Sequence, residues 1–334
     1  MKLGYFMLDQ FDRPLLIAEF CQNHNGDFDR LSEMVERAAE NGANYGKIQA
    51  IFPENLAFRP QFEKGLIVNG ETLSYERPYQ AEYDRLKSLE LSFRQMEKFV
   101  LLCQAASLKS MITIFAREHI STIADMGFDA IKVASYDCGS FQFLRELEKH
   151  FKSIFVSTGA TYDQEIVYAA KLLQRLDVTF LHCVTIYPTP IKEMHLARMN
   201  FLRQFSKRVG FSDHSLTARD GLVGSKAALA LGADVIERHF TILETEMTKD
   251  GPVSITPSQL NELAVFAQLE VPDRVAHMDE RFPEWRLAIG QEHRSLSHEE
   301  LLNRDYYRGR FGSKRPGHNL PTAMIDNWEE VPLV

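Results

Sequence analysis

The chain has 334 residues, of which 45% are apolar and 25% are charged. This composition is that of an ordinary globular protein, and the length allows one large α/β barrel of about 250 residues plus a short extra piece. The formal net charge of −8 argues against a general binder of nucleic acid or of anionic membranes, and it leaves open a local basic site for a small anion.

The first thirteen residues contain acidic side chains and no long apolar run. We therefore expect no signal peptide, and no stretch of about 18 apolar residues predicts a membrane span. The four cysteines are scattered without CxxC spacing, at Cys21, Cys103, Cys138 and Cys183. Such spacing favours buried free thiols in a cytoplasmic protein over a disulfide framework.

Short apolar runs alternate with longer amphipathic stretches along the chain. We predict strands over 15–20, 44–51, 111–115, 130–134, 153–157, 179–183, 208–211 and 234–240. The predicted helices cover 30–41, 92–107, 118–126, 141–150, 163–176, 193–205, 218–231 and 258–269, with Ser92 as a cap. Eight strand–helix units favour a (β/α)8 TIM barrel, and a doubly wound open sheet is the structural alternative.

Two segments break this alternation. Residues 52–91 form a long insertion after the second strand, and long loops in compact domains are usually functional or mobile. After Pro272 the strand–helix period is lost. We therefore expect a barrel domain over 1–271 and a C-terminal extension over 272–334. The extension carries a basic stretch that is either a solvated surface or a docking site for a partner, formed by Arg304, Arg308, Arg310, Lys314 and Arg315.

Charged residues stand near the ends of several predicted strands, namely Glu19, Lys47, Lys132 and Glu237. The period of two places them on the inward face of the barrel, where catalytic groups sit at the carboxyl ends of strands. They either pair with each other as a structural network or line a site. Four such residues at one barrel mouth favour a site, and the two lysines favour an anionic substrate such as a phosphate.

Two histidines end neighbouring strands of the predicted barrel, His214 after the seventh and His239 at the end of the eighth. A single histidine is more often a hydrogen-bonded core residue than a ligand. A pair at adjacent strand ends, with Glu237 and Asp250 close in sequence, is typical of an open divalent-metal site. The turn Ser157-Thr158-Gly159 after the fifth strand is either a phosphate-binding helix start or an ordinary cap.

Taken together, these segments resemble the sialic acid synthase (N-acetylneuraminate synthase) family, including its spore-coat polysaccharide branch. The matching motifs are Ile17-Ala18-Glu19, Asn23-His24-Asn25-Gly26, Lys47-Ile48-Gln49, Lys132-Val133-Ala134-Ser135, Ser157-Thr158-Gly159, Leu181-His182-Cys183, Tyr187-Pro188, Gly210-Phe211-Ser212-Asp213-His214 and Ile236-Glu237-Arg238-His239-Phe240-Thr241. The likeness covers residues 14–270, and the set is specific in this order although no single motif is.

The resemblance implies condensation of phosphoenolpyruvate with an N-acetylated amino-sugar aldehyde. The products would be a nonulosonate and phosphate, for surface polysaccharide biosynthesis. It also implies a divalent cation, Mn²⁺ or Mg²⁺, and a homodimer. These expectations come from the family and not from the composition or spacing of the chain.

The resemblance further implies roles for individual residues. His214 and His239 would bind the metal, and Glu19 and Glu237 would flank the reacting centre. Lys132 would be catalytic. The residues around it that would hold phosphoenolpyruvate are Lys47, Gln49, Thr113, Ser135, Ser157 and Ser212. Tyr187 and Asp250 would contact the sugar.

The chain departs from the family in several places, of which two bear most on function. Val184-Thr185 stands after the sixth strand where the family usually has Thr-Asn or Thr-Ser, which removes an amide that commonly contacts ligand. At the C-terminus only a remnant of the family's antifreeze-like domain is expected, in which Arg308 or Arg310 would act as the arginine that the family's domain inserts into a partner's active site.

Two other functions stay open from the sequence. Lys132 on an inner strand face is a candidate nucleophile for a Schiff-base aldolase. The trimmed C-terminus and the altered sixth-strand motif are alternatively compatible with a barrel that binds sugar or phosphoenolpyruvate without turnover.

Overall fold

The computed structural model of the protein describes residues 13–327. Our expectation of no signal peptide concerns residues before this range and is therefore not addressed by it. Within residues 13–327, no helix is both long enough and apolar enough to cross a bilayer.

Eight parallel strands close into a barrel in which each strand pairs with its neighbours along the chain. The barrel strands are Leu15–Glu19, Tyr45–Ala50, Lys109–Ile114, Ala130–Val133, Ser153–Ser157, Asp177–Cys183, Arg208–Asp213 and Val235–His239. The first strand pairs with the second, with Ile17 opposite Tyr45, and with the eighth, with Leu15 opposite Val235. This closure confirms the predicted TIM barrel and excludes the open sheet.

Helices surround the barrel in the expected order. They are Phe28–Glu40, Phe93–Ala105, Ile120–Ala124, Phe141–His150, Asp163–Leu172, Arg198–Leu202, Thr217–Asp220 with Val223–Ala230, and Pro257–Phe266. The second of them begins at Ser92, whose hydroxyl accepts from the backbone N–H of Gln95 in a capping box, as the sequence predicts.

Several helices are shorter than predicted, and two of them differ for clear local reasons. The helix expected over 193–205 is reduced to Arg198–Leu202, because His195 takes a left-handed conformation (φ 49°) and the next two backbone N–H groups bond to residues 288 and 289 of the C-terminal extension. The helix expected over 218–231 is split at Gly221 (φ 53°), a conformation that glycine adopts without strain.

The long insertion and the C-terminal extension both have regular structure. The insertion contains a hairpin of Leu66–Val68 and Glu71–Ser74, followed by the helix Tyr79–Lys87. The extension contains the helices Val271–Arg281 and His298–Tyr307 and an antiparallel pair, Gly312–Lys314 with Met324–Asp326. Short 3-10 turns complete the fold at Pro53–Asn55, Pro60–Phe62, Arg117–His119, Ser135–Asp137, Ile191–Glu193, Thr245–Met247, Gly251–Val253 and Pro283–Ala288.

An apolar layer fills the lower part of the barrel. It consists of Ile17, Tyr45, Met111, Ala130, Phe155, Leu181 and Val235, all buried. Since side chains of a strand alternate between faces, the residue two positions further along each strand points inward directly above this layer. Those residues are Glu19, Lys47, Thr113, Lys132, Ser157, Cys183 and Glu237. The barrel therefore has an apolar floor and a mostly polar upper layer.

A buried ion pair on the outer face of the barrel fixes the loop after the seventh strand. Arg238 on the eighth strand pairs with Asp213 at the end of the seventh, and both side chains are almost fully buried. The Arg238 guanidinium also donates to the hydroxyls of Ser215 (2.7 Å) and Thr217 (3.0 Å). These contacts hold the backbone on either side of His214.

Replacement of this arginine tests its structural role. We expect Arg238→Met to lower the free energy of unfolding by about 3 kcal/mol, because Asp213 is left as an uncompensated buried charge. The exposed pair Arg286–Asp279 (2.9 Å) is a matched control, and Arg286→Met should cost less than about 1 kcal/mol. Urea denaturation measures both values. Equal losses in the two variants would contradict the assignment.

Candidate active site

A cavity of about 480 Å³ opens at the carboxyl ends of the barrel strands. All but one of the residues that the sequence analysis singled out for the site line this cavity. They are Glu19, Lys47, Gln49, Thr113, Lys132, Ser135, Ser157, Tyr187, Ser212, His214, Glu237, His239, Asp250 and Arg310. Arg308 does not line it; its guanidinium lies 3.6 Å from Glu165, toward the side of the barrel.

Four buried charges at the base of the cavity form one network. The Lys132 ammonium donates to both carboxylate oxygens of Glu237, at 2.7 and 2.9 Å. The Lys47 ammonium bonds to Glu19 and lies 3.5 Å from Glu237. Gln49 donates to Glu19 at 3.3 Å. The pairing that the sequence left open as a structural alternative is therefore present, and it lies inside the cavity.

Burial and neighbouring charge set the protonation of this network. Burial lowers the pKa of Lys47 to about 7; Glu237 opposes this effect and Lys132 adds to it. Burial alone would raise the pKa of Glu237, but the ammonium groups of Lys132 and Lys47 and the hydrogen bonds from Lys132 and Ser212 hold it well below its usual value. Glu237 is therefore a firmly ionised carboxylate between two cations.

The hydroxyls of the cavity differ in what they bond. Ser212 donates to Glu237 at 2.7 Å, and Thr113 accepts from Lys47 at 3.3 Å. The Ser157 hydroxyl is buried and has no hydrogen-bond partner among residues 13–327. A buried hydroxyl without a partner costs free energy, which indicates that a ligand completes its bonding.

The two histidines lie together at the mouth, as the sequence predicts. The ring centroids of His214 and His239 are 5.3 Å apart. Burial lowers the pKa of both rings, and the proximity of His239 lowers that of His214 further. The Nδ1 atom of His239 is buried without a partner in the described part of the chain. Neutral imidazoles with a free nitrogen are suited to binding a metal ion.

Cys21 and Asp250 lie beside His239 at the mouth of the cavity. The sequence analysis did not predict this position for Cys21. Ligand atoms of Cys21, His239 and Asp250 lie within 4.8 Å of one another. Burial raises the pKa of the Cys21 thiol well above its usual value, and Asp250 raises it further. The only sequence signal was position: Cys21 stands two residues after Glu19, where the first strand has just ended.

The turn Asn23-His24-Asn25-Gly26 has a structural role. The Asn23 amide donates to the backbone oxygen of Phe240 (2.8 Å) and to the Ser254 hydroxyl (2.9 Å), and its oxygen accepts from Thr248 (2.6 Å). These bonds connect the loop after the first strand to the loop after the eighth. Asn23 therefore positions the loop that carries Asp250.

The C-terminal extension forms one wall of the cavity of its own chain. Tyr307 stacks on Tyr136 of the barrel, with ring centroids 4.8 Å apart and planes 17° from parallel. Asn303 lines the cavity and donates to the backbone oxygen of Thr185 at 2.7 Å. The amide of Asn303 therefore lies beside Val184-Thr185, the pair that replaces the family's usual residues after the sixth strand.

A parallel barrel with its polar cavity at the carboxyl ends of the strands defines a class of protein, the (β/α)8 barrels. Within that class the family is shown by sequence. The model of the NeuB family matches residues 34–269, and the chain belongs to this family.

Individual relatives agree with this assignment. The chain is 30% identical to N,N'-diacetyllegionaminic acid synthase of Campylobacter jejuni subsp. jejuni serotype O:2, over 75% of this chain and 74% of the relative. It is 27% identical to the pseudaminic acid synthase of C. jejuni serotype O:23/36, over 94% and 85% of the two chains. The solved structure of N-acetylneuraminic acid (sialic acid) synthetase from Leptospira borgpetersenii has the same fold, with a TM-score of 0.67, 22% identity and coverage of 92% and 95%.

The charge network predicts the effect of removing its central carboxylate. Glu237→Gln leaves two buried ammonium groups with Glu19 as their remaining carboxylate partner, so the free energy of unfolding at pH 7 should fall by about 3 kcal/mol. The folded-state pKa of Glu237 lies below its unfolded value, so its stabilising effect is present at neutral pH and lost in acid. The difference between the two proteins should therefore shrink below about pH 4.

Chemical denaturation across pH measures this difference. Glu280→Gln is the control, since that carboxylate is exposed and, among residues 13–327, pairs only with the exposed Arg281. It should change stability by less than about 1 kcal/mol. A Glu237→Gln variant as stable as wild type at pH 7 would show that the network is not a coupled set of buried charges.

Proposed function

We propose that this protein condenses phosphoenolpyruvate with an N-acetylated amino-sugar aldehyde, giving a nonulosonate and phosphate for surface polysaccharide biosynthesis. The proposal rests on one observation: two buried lysines, a serine hydroxyl without a partner among residues 13–327 and two neutral histidines line the same barrel mouth. The chain that carries them belongs to the NeuB family. Each group matches one requirement of this reaction.

Phosphoenolpyruvate is assigned to the base of the cavity. Lys47 and Lys132 supply positive charge for its phosphate and carboxylate, and Ser157 supplies the hydroxyl that lacks a partner. Thr113, Gln49, Ser135 and Ser212 surround the same space. Donors that are already held by Glu19 and Glu237 lose little freedom on binding, which favours precise positioning.

The side chains at the mouth fit a divalent metal ion. His214 and His239 would hold it, and Cys21 and Asp250 offer further ligand atoms beside His239. The nitrogen ligands of two imidazoles suit Mn²⁺ better than Mg²⁺, which prefers oxygen, and the Asp250 carboxylate suits either ion, so we propose Mn²⁺. When bound, such an ion polarises the aldehyde oxygen of the acceptor as a Lewis acid.

The two carboxylates have different parts in the carbon–carbon step. Carbon 3 of phosphoenolpyruvate attacks the aldehyde carbon, and positive charge develops at carbon 2. Glu237, firmly ionised beside Lys132, stabilises that charge. Glu237 already accepts hydrogen bonds from Lys132 and Ser212, so we assign Glu19 to accept the proton of the water that adds to carbon 2. The alkoxide formed from the aldehyde oxygen takes up a proton. The carbon 2 hydroxyl then loses its proton as the carbon–oxygen bond to phosphate breaks, which gives the product.

The acceptor is assigned to the outer part of the cavity. Tyr187, whose ring centroid is 4.3 Å from that of His214, and Asp250 face this space from the barrel. Arg310 and Asn303 face it from the C-terminal extension, which we propose to be a remnant of an antifreeze-like domain following a barrel domain that ends at about residue 271.

The geometry disfavours the two alternatives that the sequence left open. A Schiff base needs a neutral amine, whereas Lys132 donates to both oxygens of an ionised carboxylate. A binding protein without turnover was inferred from the trimmed C-terminus and the changed sixth-strand motif. The extension nevertheless closes the cavity, and Asn303 places an amide beside Thr185.

We also propose that the protein acts in the cytoplasm as a homodimer. The hairpin of the insertion supports an assembled state, because Leu66, Ile67 and Leu73 are exposed there. Apolar clusters of this kind mark interaction surfaces.

The proposed metal site is tested by phosphate release from phosphoenolpyruvate in the presence of Mn²⁺ and a panel of N-acetylhexosamine aldehydes. We expect His214→Ala and His239→Ala to reduce turnover at least a thousandfold, and a chelator to abolish wild-type activity, because the aldehyde oxygen then lacks its electrophile. His277→Ala is the control, since that ring packs among Phe266 and Phe282 away from the cavity. Full activity of both site variants would contradict the assignment.

Ser157 allows function and stability to be separated. Ser157→Ala should leave the free energy of unfolding unchanged or slightly higher, because no protein bond is lost, and should raise the KM for phosphoenolpyruvate about tenfold. The matched variant is Ser225→Ala, whose buried hydroxyl donates to Asp213 at 2.6 Å. It should lose about 2 kcal/mol of stability without a change in that KM. Equal KM values for the two variants would remove Ser157 from the site.

A further inference from the structure

Three cations line the outer part of the cavity, on segments that lie beyond the barrel strands. Arg85 comes from the helix of the insertion, Lys249 from the loop after the eighth strand and Arg310 from the C-terminal extension; all three line the cavity. We call them the rim cations. They lie on three segments that are far apart in sequence, so the folded chain brings them together.

The rim cations have too few neighbouring carboxylates to balance their positive charge. Glu82 accepts from Arg85 at 2.7 and 2.9 Å and also bonds to Arg310. Asp250 is the other carboxylate near Lys249, and it is turned toward Cys21 and His239. Within residues 13–327, Lys249 has no salt bridge or hydrogen bond through its ammonium group, and the guanidiniums of Arg85 and Arg310 repel it. The rim therefore carries an excess of positive charge.

The remaining charges of the cavity do not offset this excess. At the base, Lys47 and Lys132 are balanced by Glu19 and Glu237. Elsewhere at the mouth, the positive charge of Arg77 and the negative charge of Glu299 cancel. If Asp250 binds a metal ion, its charge is used there, and the rim is left with Glu82 against three cations.

The position of the rim indicates which part of a substrate it meets. The aldehyde carbon has to reach phosphoenolpyruvate at the base of the cavity, so the far end of an open-chain sugar points out toward the mouth. Lys249 directly precedes Asp250, and Asp250 lies beside the histidine pair. The exposed Lys249 therefore lies on the solvent side of the reaction site, where the far end of the acceptor would reach it.

From this arrangement we propose that Arg85, Lys249 and Arg310 bind an anionic group, a phosphate monoester or a carboxylate, at the distal end of the acceptor sugar. This inference rests on the proposed function and specifies its substrate class. Arginine pairs suit the oxygens of such a group, and the exposed ammonium of Lys249 adds a mobile charge at the point of entry. The bound anion would balance the positive charge that Glu82 leaves unpaired at the rim.

The test compares three acceptors in the phosphate-release assay: N-acetylmannosamine, its 6-phosphate and the corresponding 6-carboxylate. We expect kcat/KM for one of the two anionic acceptors to exceed that for the neutral sugar at least tenfold, and the preference to weaken as ionic strength rises. The two anionic acceptors distinguish a phosphate from a carboxylate.

Variants then assign the preference to the rim. Lys249→Met should reduce the ratio of kcat/KM for the anionic acceptor to that for the neutral one by about tenfold. Lys171→Met, on the exposed face of a barrel helix, is the matched control and should leave the ratio unchanged. If the main effect of Lys249→Met is a higher KM for phosphoenolpyruvate, the rim serves that phosphate and the inference is wrong.

The outcomes also separate this inference from the proposed function. Equal or better turnover of the neutral sugar overturns the anionic acceptor and leaves the condensation reaction standing. If no acceptor in the panel releases phosphate although phosphoenolpyruvate binds, the proposed function fails, and the inference fails with it.

Discussion

The site depends on two buried ammonium groups and two buried carboxylates that satisfy each other at the base of one cavity. Lys47 and Lys132 are almost fully buried, and Glu19 and Glu237 supply the opposite charges that offset the cost of burying them. The four side chains hold one another in fixed positions at the base of the cavity. Such a network holds its charges in place before a ligand arrives, and electrostatic stabilisation is strongest where no reorganisation is needed.

The barrel produces this arrangement through the simplest property of a strand, its period of two. Ile17, Tyr45, Ala130 and Val235 form the apolar floor, and the inward residue two positions later is charged in each of these strands. This pattern is visible in the sequence. The barrel, the convergence of the two lysines and the pairing of the histidines could therefore be predicted before any coordinates.

What the sequence did not predict depends on contacts between distant segments. Cys21 looked like one of four scattered thiols, and only the folded loops place it beside His239 and Asp250. Asn303 and Tyr307 lie beyond the barrel, and their place in the cavity follows from bonds to Thr185 and stacking on Tyr136. No periodicity in the chain encodes such contacts. The same reason explains the shortened helix Arg198–Leu202, whose expected first turn is replaced by bonds to the C-terminal extension.

The central claim is that a metal ion and the phosphate of phosphoenolpyruvate occupy adjoining parts of this mouth. A crystal structure with Mn²⁺ and phosphoenolpyruvate, with anomalous data at the manganese edge, tests it most directly. The account predicts a manganese peak bound by both His214 and His239, with the phosphate within hydrogen-bonding distance of Lys132 and Ser157. A peak that contacts neither histidine, or a phosphate held by the rim cations instead, would contradict it.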